Sequence, residues 1–243
     1  HSDHWSIDSG SVEFDDVIVN KCSTCDMTIT GTMKVGGDFT LTQNSAFNSG
    51  AIEIKGNLIS TDTASSGTAT ITLTGTNDQV VTVGSNDLPN GLFTINKTSG
   101  KVSLGANLSL NGTGQDLTVT AGTLDLAGYN LSVTDVITVT DKLKLKGNET
   151  ITSTPFSLNT SSSTVEYYDS AVTADLSKLP PSTFNNLIVG ASKTHNFETG
   201  SGNEITVNGT FSTTGTSGTK AILRSASSPT QWYLKIVGAD SID

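Results

Sequence analysis

Aliphatic and hydroxyl side chains alternate along most of this chain. In Thr28-Ile29-Thr30, Phe39-Thr40-Leu41-Thr42, Thr70-Ile71-Thr72-Leu73-Thr74, Leu117-Thr118-Val119-Thr120 and Val136-Ile137-Thr138-Val139-Thr140 the period is two. Successive side chains of a strand point to opposite faces, so each run predicts a half-buried strand with its aliphatics inward. Thr and Val are stiff at χ1 and suit a pleated surface, and the runs are closed by Gly, Asn, Asp and Ser, which tolerate turn geometry. No window of about a dozen residues carries a helical stripe. Asp175 to Leu179 predicts at most one short helical turn, which Pro180-Pro181 stops.

The alternation is organised into a longer repeat. Val35-Gly36-Gly37-Asp38-Phe39-Thr40-Leu41-Thr42 and Ile54-Lys55-Gly56-Asn57-Leu58-Ile59-Ser60-Thr61 match position for position at an offset of 19. The signature returns in Leu104-Gly105-Ala106-Asn107-Leu108-Ser109-Leu110 and Leu126-Ala127-Gly128-Tyr129-Asn130-Leu131-Ser132-Val133, at a spacing near 22. Looser copies follow in Asn185-Asn186-Leu187-Ile188-Val189 and Val207-Asn208-Gly209-Thr210-Phe211. Units of this length fit one coil of a β-helix whose short strands turn corners at Gly and Asn. One coil cannot bury its aliphatics alone, whereas each added coil covers its neighbour and completes its backbone hydrogen bonds.

The pattern therefore predicts an all-β fold, a right-handed parallel β-helix (β-solenoid). A β-sandwich is the alternative, because regularly spaced short strands describe it as well. One continuous elongated domain is expected, with coils and an N-terminal cap over residues 1–150 and further coils over 151–243. An irregular insertion is expected at about 153–183, where Pro155, Tyr167-Tyr168 and Pro180-Pro181 interrupt the alternation. Trp232-Tyr233-Leu234-Lys235-Ile236-Val237 reads as a C-terminal capping strand or, more plainly, as an ordinary core strand with two aromatics. The two tryptophans, Trp5 and Trp232, lie near the two ends, so Trp5, Trp232 and Tyr233 are candidates for end capping or assembly.

Composition narrows the function. Hydrophobic residues are only 34% of the chain and Ser and Thr number 31 and 39 of 243, which implies a thin core under a large polar surface. Acidic residues outnumber basic ones 23 to 13 and Arg224 is the sole arginine, so no clustered positive field for nucleic acid is present. The nearest approach, Lys142, Lys144 and Lys146, reads as the solvated face of one strand, where lysines discourage sheet aggregation. No apolar run of about 18 residues spans a membrane. His1-Ser2-Asp3-His4-Trp5 lacks the parts of a signal peptide and reads as a mature or trimmed N-terminus.

The central block carries a family resemblance. Gln79-Val80-Val81-Thr82-Val83, Leu92-Phe93-Thr94-Ile95-Asn96-Lys97, Lys101-Val102-Ser103-Leu104-Gly105-Ala106-Asn107-Leu108-Ser109-Leu110 and Gly122-Thr123-Leu124-Asp125-Leu126-Ala127-Gly128-Tyr129-Asn130-Leu131 resemble repeats of large prokaryotic extracellular proteins. These are the filamentous-haemagglutinin-like and adhesin-like β-helical group. Phe184-Asn185-Asn186-Leu187-Ile188-Val189 and the segment on to Gln231-Trp232-Tyr233-Leu234 resemble a further block of such surface proteins, so the resemblance covers roughly residues 79 to 237. It implies a secreted or cell-surface location and a β-helical architecture, and it brings no catalytic motif.

Few residues suggest chemistry. Cys22-Ser23-Thr24-Cys25 is the only cysteine pair; without further Cys or His ligands it reads as a local disulfide rather than zinc, with an intermolecular bond as the sharper alternative. Glu13, Asp15 and Asp16 form the one tight acidic cluster, a weak calcium candidate, although turn duty explains most acidic residues here. His1, Asp3 and His4 read as a terminal remnant before a metal grip, and His195 stands without an acid or nucleophile at recognisable spacing. Of Tyr167 and Tyr168, only one can face outward to stack on a sugar. Asn96, Asn107, Asn111, Asn130, Asn148, Asn159 and Asn208 are glycosylation sequons.

No catalytic residue and no cofactor other than calcium is nominated, and the chain is expected not to be an enzyme. The expected function is an extracellular structural or adhesive element, partnered by itself in a filament or surface layer, or by host, cell-surface or matrix ligands. The alternative is a carbohydrate-binding or polysaccharide-degrading β-helix protein. No nucleic-acid partner and no membrane insertion are expected.

Overall fold

The computed structural model describes residues 4–238 apart from 23, 44–45, 62–65, 85–87, 154, 160, 170–173, 176–182, 191–193, 198–203, 215–219 and 226–230. Among the described residues there is no helix, and every strand pairing is parallel. Parallel neighbours at one coil's distance in sequence define a β-solenoid and exclude the sandwich.

Each coil visits three sides in constant order. The first side begins with Trp5–Asp8, Asp26–Thr30 and Ala46–Phe47, stacked as a three-stranded sheet. The second starts with Glu13–Phe14, Thr32–Val35, Ala51–Ile54 and Thr70–Leu73. The third starts with Val17–Asn20, Phe39–Gln43, Leu58–Ser60 and Gln79–Val83. The longer strands Phe93–Leu104 and Leu117–Asp125 run from the second side into the third. From there the third side continues through Lys142–Leu145, Thr164–Tyr167, Asn186–Val189 and Phe211–Thr213.

The expected register is found. Val35 lies beside Ile54 and Phe39 beside Leu58, 19 residues on, while Leu108 lies beside Leu131, 23 residues on. The spacing widens toward the C-terminus, where Ile205 lies beside Leu234, 29 residues on. The strands keep their register as the spacing grows. Within the stretch read as an insertion, Phe156–Leu158 and Thr164–Tyr167 pair with the coils around them. The short helical turn expected at Asp175 to Leu179 falls mostly outside the described residues; Ala174–Asp175 is strand.

The core is one continuous ladder. On the second side Met33, Ile52, Ile71, Phe93, Leu117 and Ile137 follow one another in register, all buried. On the third, Leu124, Leu143, Val165, Leu187 and Phe211 do the same. Burying such a side chain stabilises by roughly 1.5–3 kcal/mol, and parity forces every second residue to contribute. Close stacking also explains the repeat's glycine: a Cβ on Gly56 would collide with the Gly37 carbonyl of the coil before.

Candidate functional site

The polar residues of the repeat sit at the corner before the third side, where they join successive coils. Asp16 Oδ1 accepts the Asp38 N–H at 2.7 Å, Asp38 Oδ1 accepts the Asn57 N–H at 2.6 Å, and Asn57 Oδ1 accepts the Val80 N–H at 2.8 Å. Asn57 Nδ2 also donates to Asp38 Oδ2 at 3.3 Å. The same bond recurs at the corner before the first side, ahead of Leu108–Leu110, Leu131–Val133 and Ile151–Thr152, where Asn107 Oδ1 accepts from Asn130 N–H and Asn130 Oδ1 from Thr150 N–H, both at 2.8 Å, and again at the third side, where Asn186 Oδ1 accepts from Thr210 N–H at 2.9 Å. Corner N–H groups point along the stack with no ladder partner of their own, so an Asp or Asn one coil away satisfies them.

This geometry places the candidate calcium residues. Glu13 points outward and pairs with Lys55 at 2.6 Å, Asp16 is engaged on Asp38, and the Asp15 carbonyl accepts the Gly37 N–H at 2.8 Å. Among the described residues no group of three or more His, Cys, Asp or Glu is arranged to hold a metal ion.

The densest charge lies on the outer surface of the third side. Asp125, buried to 1% exposure, accepts from Lys101 Nζ at 2.8 Å and from the Tyr168 hydroxyl at 2.8 Å. Glu166 takes Lys142 at 2.6 Å and Lys144 at 3.3 Å, Lys146 reaches Asp169 at 4.0 Å, and Lys144 Nζ lies 4.7 Å over the Tyr168 ring. Register explains the cluster: Ser103, Asp125, Lys144, Glu166 and Ile188 form one outward column, and Lys101, Thr123, Lys142 and Thr164 the next. Burial and the hydrogen bond to Asp125 push the Tyr168 hydroxyl far above the usual tyrosine range. The same carboxylate raises Lys101. Burial works against the Glu166 charge, but Lys142 and Lys144 outweigh it and hold its carboxyl below the usual range. A tyrosine kept protonated and a carboxylate already holding two donors bind coils together and are poorly placed to take a proton from a substrate.

Lys142, Lys144 and Lys146, read from sequence as a solvated face, are thus ion-paired and half-buried. Of the tyrosine pair, Tyr167 is buried in the core, while Tyr168 faces outward with its ring under Lys144.

Two buried residues went unnoticed in the sequence. Lys97 Nζ donates to the Thr74 carbonyl at 3.1 Å and to Gln79 Oε1 at 2.5 Å, and Gln79 Nε2 donates to the carbonyls of Ile54 and Gly56. They fill the corner between second and third sides, and burial lowers the Lys97 pKa. A signal existed, since Phe93, Ile95 and Lys97 share one parity and the alternation turns the lysine inward.

The remaining nominated residues are scattered. Cys22 and Cys25 are joined as a disulfide, with the Cys25 N–H donating to the Cys22 carbonyl at 3.0 Å. His4 lies 3.7 Å from Asp26, whereas His1 and Asp3 fall outside the described residues. His195 is buried with Nε2 at 3.1 Å from the Gly190 carbonyl and its ring edge-on to Tyr167. Asn96, Asn107, Asn111, Asn130 and Asn148 are exposed, and Asn159 and Asn208 half-buried. Trp5 is exposed with Lys21 Nζ 4.6 Å over its ring; Trp232 packs against the core, and Tyr233 is exposed on the last described strand, Tyr233–Ile236.

Fold and polar groups together define a β-solenoid whose side chains tie coil to coil. No family model, curated protein or solved structure matches the chain.

Proposed function

We propose that this protein is an extracellular structural or adhesive rod, able to stack end to end into a filament or surface layer. One observation carries the reading: the residues that concentrate charge and hydrogen-bonding capacity engage the coil above or below. Asp16, Asp38 and Asn57 do so at the corner, and Asp125, Tyr168 and Glu166 on the outer surface. A chain whose polar side chains reinforce its long axis suits a mechanical role. The Cys22–Cys25 disulfide supports an oxidising, extracellular setting.

Electron microscopy and sedimentation velocity over a range of concentrations test the proposal. Elongated particles that lengthen with concentration are expected. A particle that stays single at every concentration would remove the filament and leave adhesion. Release of reducing ends from plant, algal or microbial polysaccharides would replace the structural reading with a carbohydrate-active one.

A further inference from the structure

We infer that the outer face of the second side binds ice, a periodic and uncharged solid that offers a hydrogen bond at every rung; the inference rests on the adhesive reading above and names what is adhered to. Register builds the face. Thr72, Thr94, Thr118, Thr138 and Ser157 lie side by side on five successive coils. Leu73, Ile95, Val119, Val139 and Leu158, one residue on, are buried, so parity turns the five hydroxyls outward. A second outward column follows two residues on, in Thr74, Asn96, Thr120, Thr140 and Asn159. All ten side chains are half-buried or exposed.

The face is neutral. None of the ten side chains is ionisable, in a chain whose formal net charge is -10. Over the same coils the third side turns Asp125, Lys144 and Glu166 outward. Lys34 and Glu53 take the two rungs before Thr72, so the neutral stretch begins there. Asp116, at the edge of the face, is turned along the stack, where its Oδ1 accepts the Val136 N–H at 3.0 Å. Charge complementarity therefore selects a neutral partner and rejects ions, polyanions and charged peptides.

Among the described residues, none of the five hydroxyls in the column from Thr72 to Ser157 has a hydrogen-bond partner. In the second column Thr120 donates to the Ile95 carbonyl at 3.0 Å and Thr140 to the Val119 carbonyl at 2.8 Å, which pins the flank to the coil before. Threonine is stiff at χ1, so the free hydroxyls are set in place before anything binds. Rungs of a parallel ladder lie about 4.8 Å apart, and columns two residues apart about 6.6 Å. Ice repeats its oxygen atoms close to both spacings on its prism faces. A dissolved molecule meets one or two rungs, whereas a crystal face meets all five, and each further rung adds to a contact already made.

The test freezes fluorescently labelled protein slowly onto an ice hemisphere and follows crystal shape in a nanolitre osmometer. The wild type should concentrate in the ice over the liquid and facet the crystals. Thr94→Lys with Thr118→Lys should lower that enrichment by roughly tenfold or more, because a strongly hydrated ammonium on two middle rungs holds the crystal off. Ser109→Lys with Ser132→Lys sets the same two charges on adjacent rungs of the first side and should bind ice as the wild type does. Should the first pair misfold by circular dichroism, Thr118→Lys alone against Ser132→Lys makes the same comparison. A wild type excluded from ice overturns the inference and leaves the rod, whose stacking is read separately by sedimentation. Equal loss in both folded double variants overturns the assignment to this face. Retention of the wild type on crystalline cellulose or chitin, with none on ice, overturns ice as the partner and gives the face to a glycan.

Discussion

The side chain of Asn57 joins three coils, accepting from the Val80 N–H above it while its own amide donates to Asp38 below. Removing it leaves a corner N–H and a carboxylate without their mutual partner, at a cost typical of a half-buried hydrogen bond. Asn57→Ala should therefore lose about 1–2 kcal/mol of stability in urea denaturation. Asn148→Ala, at an exposed corner where no such bond is made, should stay within roughly 0.5 kcal/mol of wild type. The position was legible in sequence, because Gly-Asp/Asn-apolar recurs at coil spacing; the role was not. Turn propensity accounts for Asn at a corner whether or not it reaches another coil, and only the stacked backbone aims Oδ1 at an N–H about 20 residues away. The same limit applies to Glu13, Asp15 and Asp16, where closeness in sequence left turn duty beside a weak calcium candidate and did not name the partners. Glu13 reaches Lys55 and Asp16 reaches Asp38.

A strand's outer face is read correctly only when its neighbours are known. Lys142–Leu145 shows three alternating lysines with Lys146, and in isolation these would be solvated; Glu166 one coil on and Asp125 one coil back turn the surface into a sequence of alternating charge. Parity was legible and so was the inward ladder, but the partner on each adjoining strand depends on corner lengths, which vary along the chain. Tyr168 gives this element a pH signature. Its folded pKa is raised above the unfolded value near 10, so its contribution is complete below about pH 10. Above that pH the unfolded chain releases the phenolic proton while the folded chain keeps it, and stability falls as pH rises. Wild type should exceed Tyr168→Phe by about 1–2 kcal/mol near neutral pH, through the bond to Asp125. Denaturation midpoints should show that margin narrowing between about pH 10 and 11.5; a margin that stays constant would mean the hydroxyl carries no such coupling.

For the whole molecule, stability is a sum over coils and the contacts between neighbouring coils, so its length is adjustable in units of one turn. Leu117 occupies the row that Ile137 takes one coil later, Leu131 the row of Ile151, and Leu124 the row of Leu143. Deleting residues 117–136 joins Asp116 directly to Ile137 and slides every later strand up one row on all three sides. Phe93 then meets Ile137, Val102 meets Leu143 and Leu108 meets Ile151, each an apolar inward side chain replacing another. Deleting only residues 117–126 removes half a turn's residues and sets the first-side strand Leu131–Val133 against second-side rows, where parity and corner glycines disagree. The whole-turn deletion should keep a β-type circular dichroism spectrum and a single cooperative melt, at a somewhat lower temperature because one coil's contacts are gone. The half-turn deletion should lose both. If the whole-turn deletion fails to fold while the expressed wild type folds, the coils are not interchangeable units, and the additive picture of the stack is wrong.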